Sequence, residues 1–271
     1  MRLALTGAGG FVGRFIAEAA RAAGHELVLL SRRPTGLPGE HRAFDLLAPP
    51  PPLGDVDALV HCAFLHVPGR YRGGEGEDPD TFRRANLDGS LRLFDAMGGR
   101  RIVFLSSRAV FDGYPAGTLL PETLAPRPDG LYGEVKVAAE TALAALQGAS
   151  LRATGVYGPG PQHKWRDLFG DFLAGRPIAP RVATEVHGAD LAAAALLLVE
   201  RPEAGAFHAS DLLLDRHDLL AEVARLTGSD RAPPARADAA RVSRLECRRL
   251  AALGWRPGGW DLLRSSLGSM I

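Results

Sequence analysis

Residues 2 to 13, RLALTGAGGFVG, set a short apolar run and a threonine ahead of closely spaced glycines, and an amphipathic stretch follows at once. That order predicts a strand at 2 to 6, a glycine turn and a helix at 11 to 23. In such a unit the backbone N–H groups of the turn and the positive end of the helix can approach a pyrophosphate. The spacing G-x-G-x-x-G is not met, because Val12 stands where the third glycine would fall. What fits is Gly7, Gly10 and Gly13 after Thr6. A glycine turn alone can be purely structural, but the strand before it and the helix after it favour a nucleotide loop.

The rest of the first half repeats the alternation. Strands are predicted at 26 to 30, around 43 to 45, at 57 to 62, at 102 to 106 and at 151 to 154, with helices near 79 to 97 and 131 to 147. The proline run Pro49 to Pro52 can neither continue a helix nor pair inside a sheet, so it reads as a surface loop. This is the pattern of an α/β, doubly wound parallel sheet, a Rossmann fold. After Gly160 the pattern loosens into helices near 164 to 174, 190 to 200, 216 to 227, 242 to 253 and 258 to 267, with a strand at 205 to 209. The division expected is a dinucleotide-binding domain over 1–158 and a small C-terminal substrate lobe over 159–271, with helix 190–200 returning to the Rossmann core.

Composition closes off several classes of function. With 271 residues, 46% of them hydrophobic, the chain can bury a full core without a partner. Its longest apolar run, Leu191 to Val199, falls far short of the ~20 residues that a membrane span requires. The N-terminus reaches glycine too soon for a secretory signal. Cys62 and Cys247 are too few for a disulfide framework and no His/Cys cluster has metal spacing, so a reducing cytoplasm is expected and no metal. A net charge of +1, spread along the chain, offers no footprint for nucleic acid or membrane. Lys136 and Lys164 are the only lysines, every other long basic residue being arginine. A lysine in such a chain is a candidate for chemistry that a guanidinium cannot perform.

Strand 26 to 30 ends in Ser31, Arg32 and Arg33 with no acid. In this fold an acid there holds the ribose hydroxyls of NAD, whereas arginine accommodates the 2′-phosphate of NADP. NADP(H) is therefore favoured and NAD(H) stays possible, the alternative reading being two solvated loop arginines. Asp45 and Leu46 end the next strand, to contact an adenine or simply to form a turn. Further on, Tyr132 and Lys136 in YGEVK lie four apart on one helix face, with Asp129 a plausible N-cap. A tyrosine near pKa 10 must lose roughly 2 to 3 units, ~3 to 4 kcal/mol, to serve as a base near neutral pH. A neighbouring ammonium has the right sign to supply that shift. Ser106 and Ser107 end strand 102 to 106, where a hydroxyl can hold the substrate oxygen that exchanges a proton with Tyr132.

These segments together resemble an extended or atypical short-chain dehydrogenase/reductase of the NAD(P)-dependent epimerase/dehydratase group. The resemblance runs through TGAGGFVG, DALVHCA at 57 to 63, NLDG at 86 to 89, FLSSRAVF at 104 to 111, YGEVK, GVYGPG at 155 to 160, VHGADLA at 186 to 192 and LGW at 253 to 255. It implies Ser107, Tyr132 and Lys136 as the catalytic group. It also implies a cofactor site drawn from Gly7, Gly10, Phe11, Val12, Gly13, Arg32, Arg33, Asp45, Leu46, Cys62, Ala63, Asn86, Ser106, Tyr132, Lys136 and Val156. A homodimer through the helices near 79 to 97 and 131 to 147 follows from the same likeness. Gly155 stands where many sugar-nucleotide members carry a substrate-binding asparagine. RIVFLSS, GYP and RPDGLYG resemble uronate dehydrogenases, which oxidise sugar acids. The segment from Gly160 to Asp190 looks short and opens with His163, Lys164 and Arg166 around Trp165, which reads either as a solvated helix start or as a site for a small acidic or polyhydroxylated substrate, with His66 and Arg108 adding donors. The competing reading is a non-catalytic NADP(H)-binding regulator, against which the complete catalytic group counts.

Overall fold

The computed structural model describes residues 1–67 and 74–271. The chain begins with β1 (Arg2–Thr6), α1 (Phe11–Ala22), β2 (Glu26–Ser31), β3 (Glu40–Ala43) and β4 (Ala58–His61). Next come α2 (Pro79–Arg83), a π-helical turn over Arg84–Asp88, α3 (Gly89–Ala96), β5 (Arg101–Ser107) and the two-residue β6 (Leu119–Leu120). They are followed by α4 (Leu131–Ala145), β7 (Ala149–Ala153), β8 (Gly155–Tyr157), α5 (Arg166–Leu173), β9 (Val182–His187), α6 (Gly188–Val199) and β10 (Gly205–Ala209). The last elements are β11 (Leu212–Asp215), α7 (Arg216–Thr227), β12 (Arg244–Leu245), α8 (Arg248–Ala252) and α9 (Gly259–Leu267).

Seven strands form the central sheet in the order β10-β7-β5-β4-β1-β2-β3, and every neighbouring pair is parallel. All residues of β4 and β7 are buried, as strands covered on both faces must be. On one face Phe15, Ile16 and Ala20 of α1 meet Leu191, Ala195 and Leu198 of α6. On the other, Leu93 and Phe94 of α3 share a core with Ala139 and Leu143 of α4. Strand order reverses on either side of β1, so the crevice at the carboxyl ends of β1 and β4 is where a ligand fits this architecture.

A second sheet, β11-β9-β8, pairs β8 with β9 in parallel and β9 with β11 antiparallel. It carries a separate apolar core in which Tyr157, Trp165, Phe169 and Phe172 meet Leu219, Val223, Leu263 and Leu267. The return to the central sheet takes more chain than helix 190–200, since β10 also supplies its outermost strand beside β7.

Several sequence expectations need correction. The strand placed around 43 to 45 ends at Ala43, and Asp45 instead accepts the N–H of Leu47 at 2.8 Å in a turn. The helix near 79 to 97 is interrupted by the π-helical turn, where Ser90 Oγ returns a hydrogen bond to the Asn86 carbonyl at 2.6 Å. The helix near 242 to 253 is reduced to α8, because Arg244 and Leu245 pair with β6 as β12. Asp129 does not cap α4. Gly130 holds the cap position with φ 115°, and Glu75 accepts the N–H of Tyr132 at 3.2 Å.

Candidate active site

The glycine turn is shaped by what a side chain would strike. Gly7 has φ 72°, and a Cβ there would lie 2.8 Å from the Ala63 N atom; a Cβ at Gly13 would overlap the Gly7 carbonyl. Only glycine lets β1, α1 and the end of β4 come this close. Helix α1 starts at Gly10 with no side-chain cap and no acid in its first turn, so its N-terminal N–H groups suit an anion.

Thr6 fastens the turn to its neighbours. Its hydroxyl accepts the N–H groups of Cys62 and Ala63, each at 3.0 Å, and lies 2.7 Å from His61 Nδ1. With both acceptor positions of Thr6 Oγ1 taken, its proton goes to Nδ1. His61 Nε2 then donates to Ser90 Oγ at 2.9 Å. Burial holds the His61 imidazolium pKa down to about 3, so this strut is neutral. Asn86 braces the same segment, accepting from Leu65 N at 2.6 Å and donating to Leu65 O at 2.8 Å.

Above this floor lies a cleft of about 980 Å³. Its walls bring together most of the residues expected for a cofactor: Gly7, Gly10, Phe11, Val12 and Gly13 from the turn and α1, Arg32 and Arg33 after β2, and Asp45 and Leu46 after β3. Cys62 and Ala63 after β4, Ser106 on β5, and Tyr132 and Lys136 on α4 complete them, and His66, expected as a substrate donor, lines the same walls. Arg32 and Arg33 are exposed, and among the described residues neither forms an ion pair. Asn86, Ser107, Arg108 and Val156 lie beyond these walls. Ser107 is half-buried at the end of β5, its hydroxyl accepting from Ala109 N at 3.1 Å, and Arg108 pairs with Asp112 at 3.1 Å.

Lys136 is 5% exposed and donates from Nζ to the Leu105 carbonyl at 2.7 Å. Its ammonium lies 4.1 Å from the centre of the Phe64 ring and 4.5 Å from that of Phe104, contacts that favour a cation. Burial, opposed by Cys62 and Glu140, lowers its pKa to about 7. The ring of Tyr132 sits 5.1 Å from Phe64 in an edge-to-face pair, with Lys136 Nζ 5.9 Å from its centre. A phenol one turn from a buried ammonium, at the wall of a cleft floored by backbone N–H groups, can exchange a proton with a bound alcohol or carbonyl.

The substrate residues expected on the lobe are not brought to this cleft. His163 is buried against Phe169, with ring centres 5.9 Å apart. Arg166 donates to the Pro161 carbonyl at 2.7 Å. Lys164 is ion-paired with the buried carboxylate of Glu185 on β9. A Cβ at Gly155 would lie 2.8 Å from Lys164 Nζ and 2.5 Å from Glu185 Oε2, so the missing side chain makes room for this pair. Glu75, Phe64 and the Thr6–His61–Ser90 strut did not emerge from the sequence. His61 closes the apolar run ALV of a strand buried throughout, but nothing local names its partners.

Comparison with known proteins was made against this geometry. The NAD dependent epimerase/dehydratase family matches residues 3–209. A UDP-glucose 4-epimerase from Corynebacterium glutamicum is 26% identical over 249 residues, 76% of this chain and 73% of that protein. The chain spans 45% and 52% of two other relatives it matches, about half their length. Among solved structures, MoeE5 in complex with UDP-glucuronic acid and NAD superposes with a TM-score of 0.79 at 26% identity, over 99% of this chain and 97% of that one. A UDP-glucose 4-epimerase from Thermus thermophilus, complexed with NAD, gives a TM-score of 0.78 at 27% identity, over 100% and 99% of the two chains.

Proposed function

The chain belongs to the NAD dependent epimerase/dehydratase family, and from that premise we propose an enzyme that moves hydride between a nicotinamide and a hydroxyl or carbonyl carbon of a sugar-like small molecule. The observation that carries the proposal is the pairing of Tyr132 with the buried Lys136, one turn apart on α4, at the wall of the glycine-floored cleft. A nicotinamide dinucleotide in that cleft would supply or accept the hydride. The chain's own residues do the rest. The α1 N-terminus and the turn hold the pyrophosphate. Tyr132 takes the substrate hydroxyl proton in oxidation and returns it in reduction, and Ser107 donates to the same oxygen. Lys136, as an ammonium, favours the phenolate.

The test is Tyr132→Phe, which removes the exchangeable proton with almost no change of volume. Turnover is expected to fall about 10² to 10⁴-fold while cofactor affinity stays within about threefold. Retention of most of the wild-type kcat overturns the assignment.

For the dinucleotide, the exposed Arg32 and Arg33, without ion-pair partners among the described residues and with no acid at the end of β2, support NADP(H). NADPH is expected to bind about 10 to 100-fold more tightly than NADH, roughly 1 to 3 kcal/mol. Equal affinities in a fluorescence titration, or a preference for NADH, refute this.

For the substrate, a sugar acid is supported by the likeness of RIVFLSS, GYP and RPDGLYG to uronate dehydrogenases, with Lys164, paired to Glu185 over Gly155, as its candidate contact. Ala153 is in register with Ser107, and Gly155 opens β8 two residues later. A second reading, a nucleotide sugar, is favoured by the near full-length likeness to a protein solved with UDP-glucuronic acid. Calorimetry with free sugar acids and with UDP-sugars distinguishes them, since each reading requires binding of one class and not the other.

A further inference from the structure

Beneath the cleft runs a buried polar chain that the proposed reaction does not use. Ser106 Oγ donates to a carboxylate oxygen of Glu140 on α4. Arg152 on β7 grips the same carboxylate, with Nε at 3.0 and 3.1 Å and Nη2 at 2.6 Å. Its Nη1 donates to His208 Nε2 at 3.4 Å, and His208 Nδ1 donates to the Glu246 carbonyl at 3.1 Å. Ser106, Glu140, Arg152 and His208 are 4%, 7%, 4% and 0% exposed. A buried ion pair of this kind seldom repays its desolvation relative to an apolar core, so its presence calls for another role.

The geometry supplies one. Tyr132, Lys136 and Glu140 are successive turns of one face of α4. Lys136 bonds the carbonyl of Leu105 and Glu140 bonds the side chain of Ser106, adjacent residues of β5. These two rungs set the height of the helix on the strand that ends in Ser107. We propose that Glu140 is a positioning residue for Lys136: held by Arg152 and Ser106, it registers α4 on β5 and supplies a negative charge that favours the ammonium form of the buried Lys136. This rests on the reading that Lys136 serves the reaction.

The charged and titratable groups around Lys136 agree with this. From β4 come His61, held neutral by burial, and from the segment after it Cys62, whose thiol burial pushes up to about 12. From β5 come the Leu105 carbonyl and, preceding it, the Phe104 ring; from α4 itself come Tyr132 and Glu140. Arg152 is paired with the Glu140 carboxylate, and with that pair in place Glu140 still acts to raise the Lys136 pKa.

The presence of only two lysines makes the test direct. In protein labelled with 15N-lysine, the side-chain signals of Lys136 and Lys164 are assigned with Lys164→Met, and Lys136 is titrated in the cofactor-free enzyme. In Glu140→Gln its midpoint is expected to fall by half a pH unit or more, about a threefold loss of proton affinity, and Glu140→Asp is expected to restore it. A purely structural role predicts the opposite sign, because loosening around α4 admits water and lifts Lys136 toward its ordinary value. A midpoint unchanged or raised in Glu140→Gln overturns the proposal. If that variant does not fold, Glu140→Gln combined with Arg152→Gln removes both charges, and the midpoint must still fall. No substrate is needed, so a failure here is separate from a failure of Tyr132→Phe.

Discussion

Lys164 and Glu185 meet directly over Gly155, and the atoms that a new Cβ would strike are the ends of two flexible side chains rather than backbone. Gly155→Ala is therefore expected to push the pair apart while leaving the fold in place, with less than about 1 kcal/mol lost in denaturant unfolding. KM for the substrate should rise about tenfold, ~1.4 kcal/mol, with kcat less affected. A large stability loss, or an unchanged KM, would remove the pair from the substrate site. At this scale the sequence showed what is local: the glycine spacing, the Tyr132–Lys136 interval and the missing acid after β2 all lie within a few residues. It could not show that Lys164 finds an acid 21 residues away, or that Glu140 on α4 finds Arg152 on β7. The interval from Tyr132 through Lys136 to Glu140 was the available clue, since three polar residues on one face of a buried helix must each have a partner.

At the scale of elements, α6 begins with a histidine where serine, threonine or aspartate is usual. His187 Nδ1 accepts the N–H of Ala189 at 3.0 Å, and Nε2 lies 3.1 Å from Ser266 Oγ on α9. That first bond requires an unprotonated Nδ1, and burial lowers the His187 pKa to about 4. Between pH 6.5 and about 4 the unfolded chain binds a proton there that the folded chain does not, so this residue contributes stability that is lost as pH falls. His187→Asn keeps an N-cap acceptor and removes the titration. Its unfolding free energy is expected to depend less steeply on pH in that window, by up to about 1.4 kcal/mol per unit, and parallel curves for the two proteins would contradict this. The strand before it, β9, was missed in the sequence because Thr184, Glu185 and His187 are buried polar residues, so the apolar alternation that marks a strand is absent. Strands β6 and β12 were missed for another reason: two residues each are too short to carry any period. The long periodic elements of the first half were legible, and α7 begins and ends where the pattern places it.

At the scale of the whole molecule, no helix among the described residues is long and apolar enough to cross a membrane. The outward side of α4 presents Ala138, Thr141 and Ala142, small and uncharged residues that are at least partly exposed. With α3 beside it, this surface supports a homodimer formed by a bundle of helices from two copies. Light scattering at micromolar concentration is expected to give about twice the 28.8 kDa of one chain, and a bulky charge at Ala142, as in Ala142→Glu, should shift it to the single-chain mass. A monomer in the unmodified protein counts against the bundle.

The path of β10 has a consequence for how such a chain can be divided. Every residue of β7 is buried, and its outer edge is closed by a strand that arrives about fifty residues later, after β8, β9 and α6 have been laid down. Until residue 209 is in place, β7 presents an open row of backbone donors and acceptors flanked by apolar side chains, the arrangement most prone to pairing with another molecule. The lobe strands are thus threaded into the closing of the sheet. During synthesis the central sheet stays open-edged while the lobe is made, and a fragment cut at the apparent boundary near residue 158 would be left as a template for aggregation rather than an independent nucleotide-binding domain.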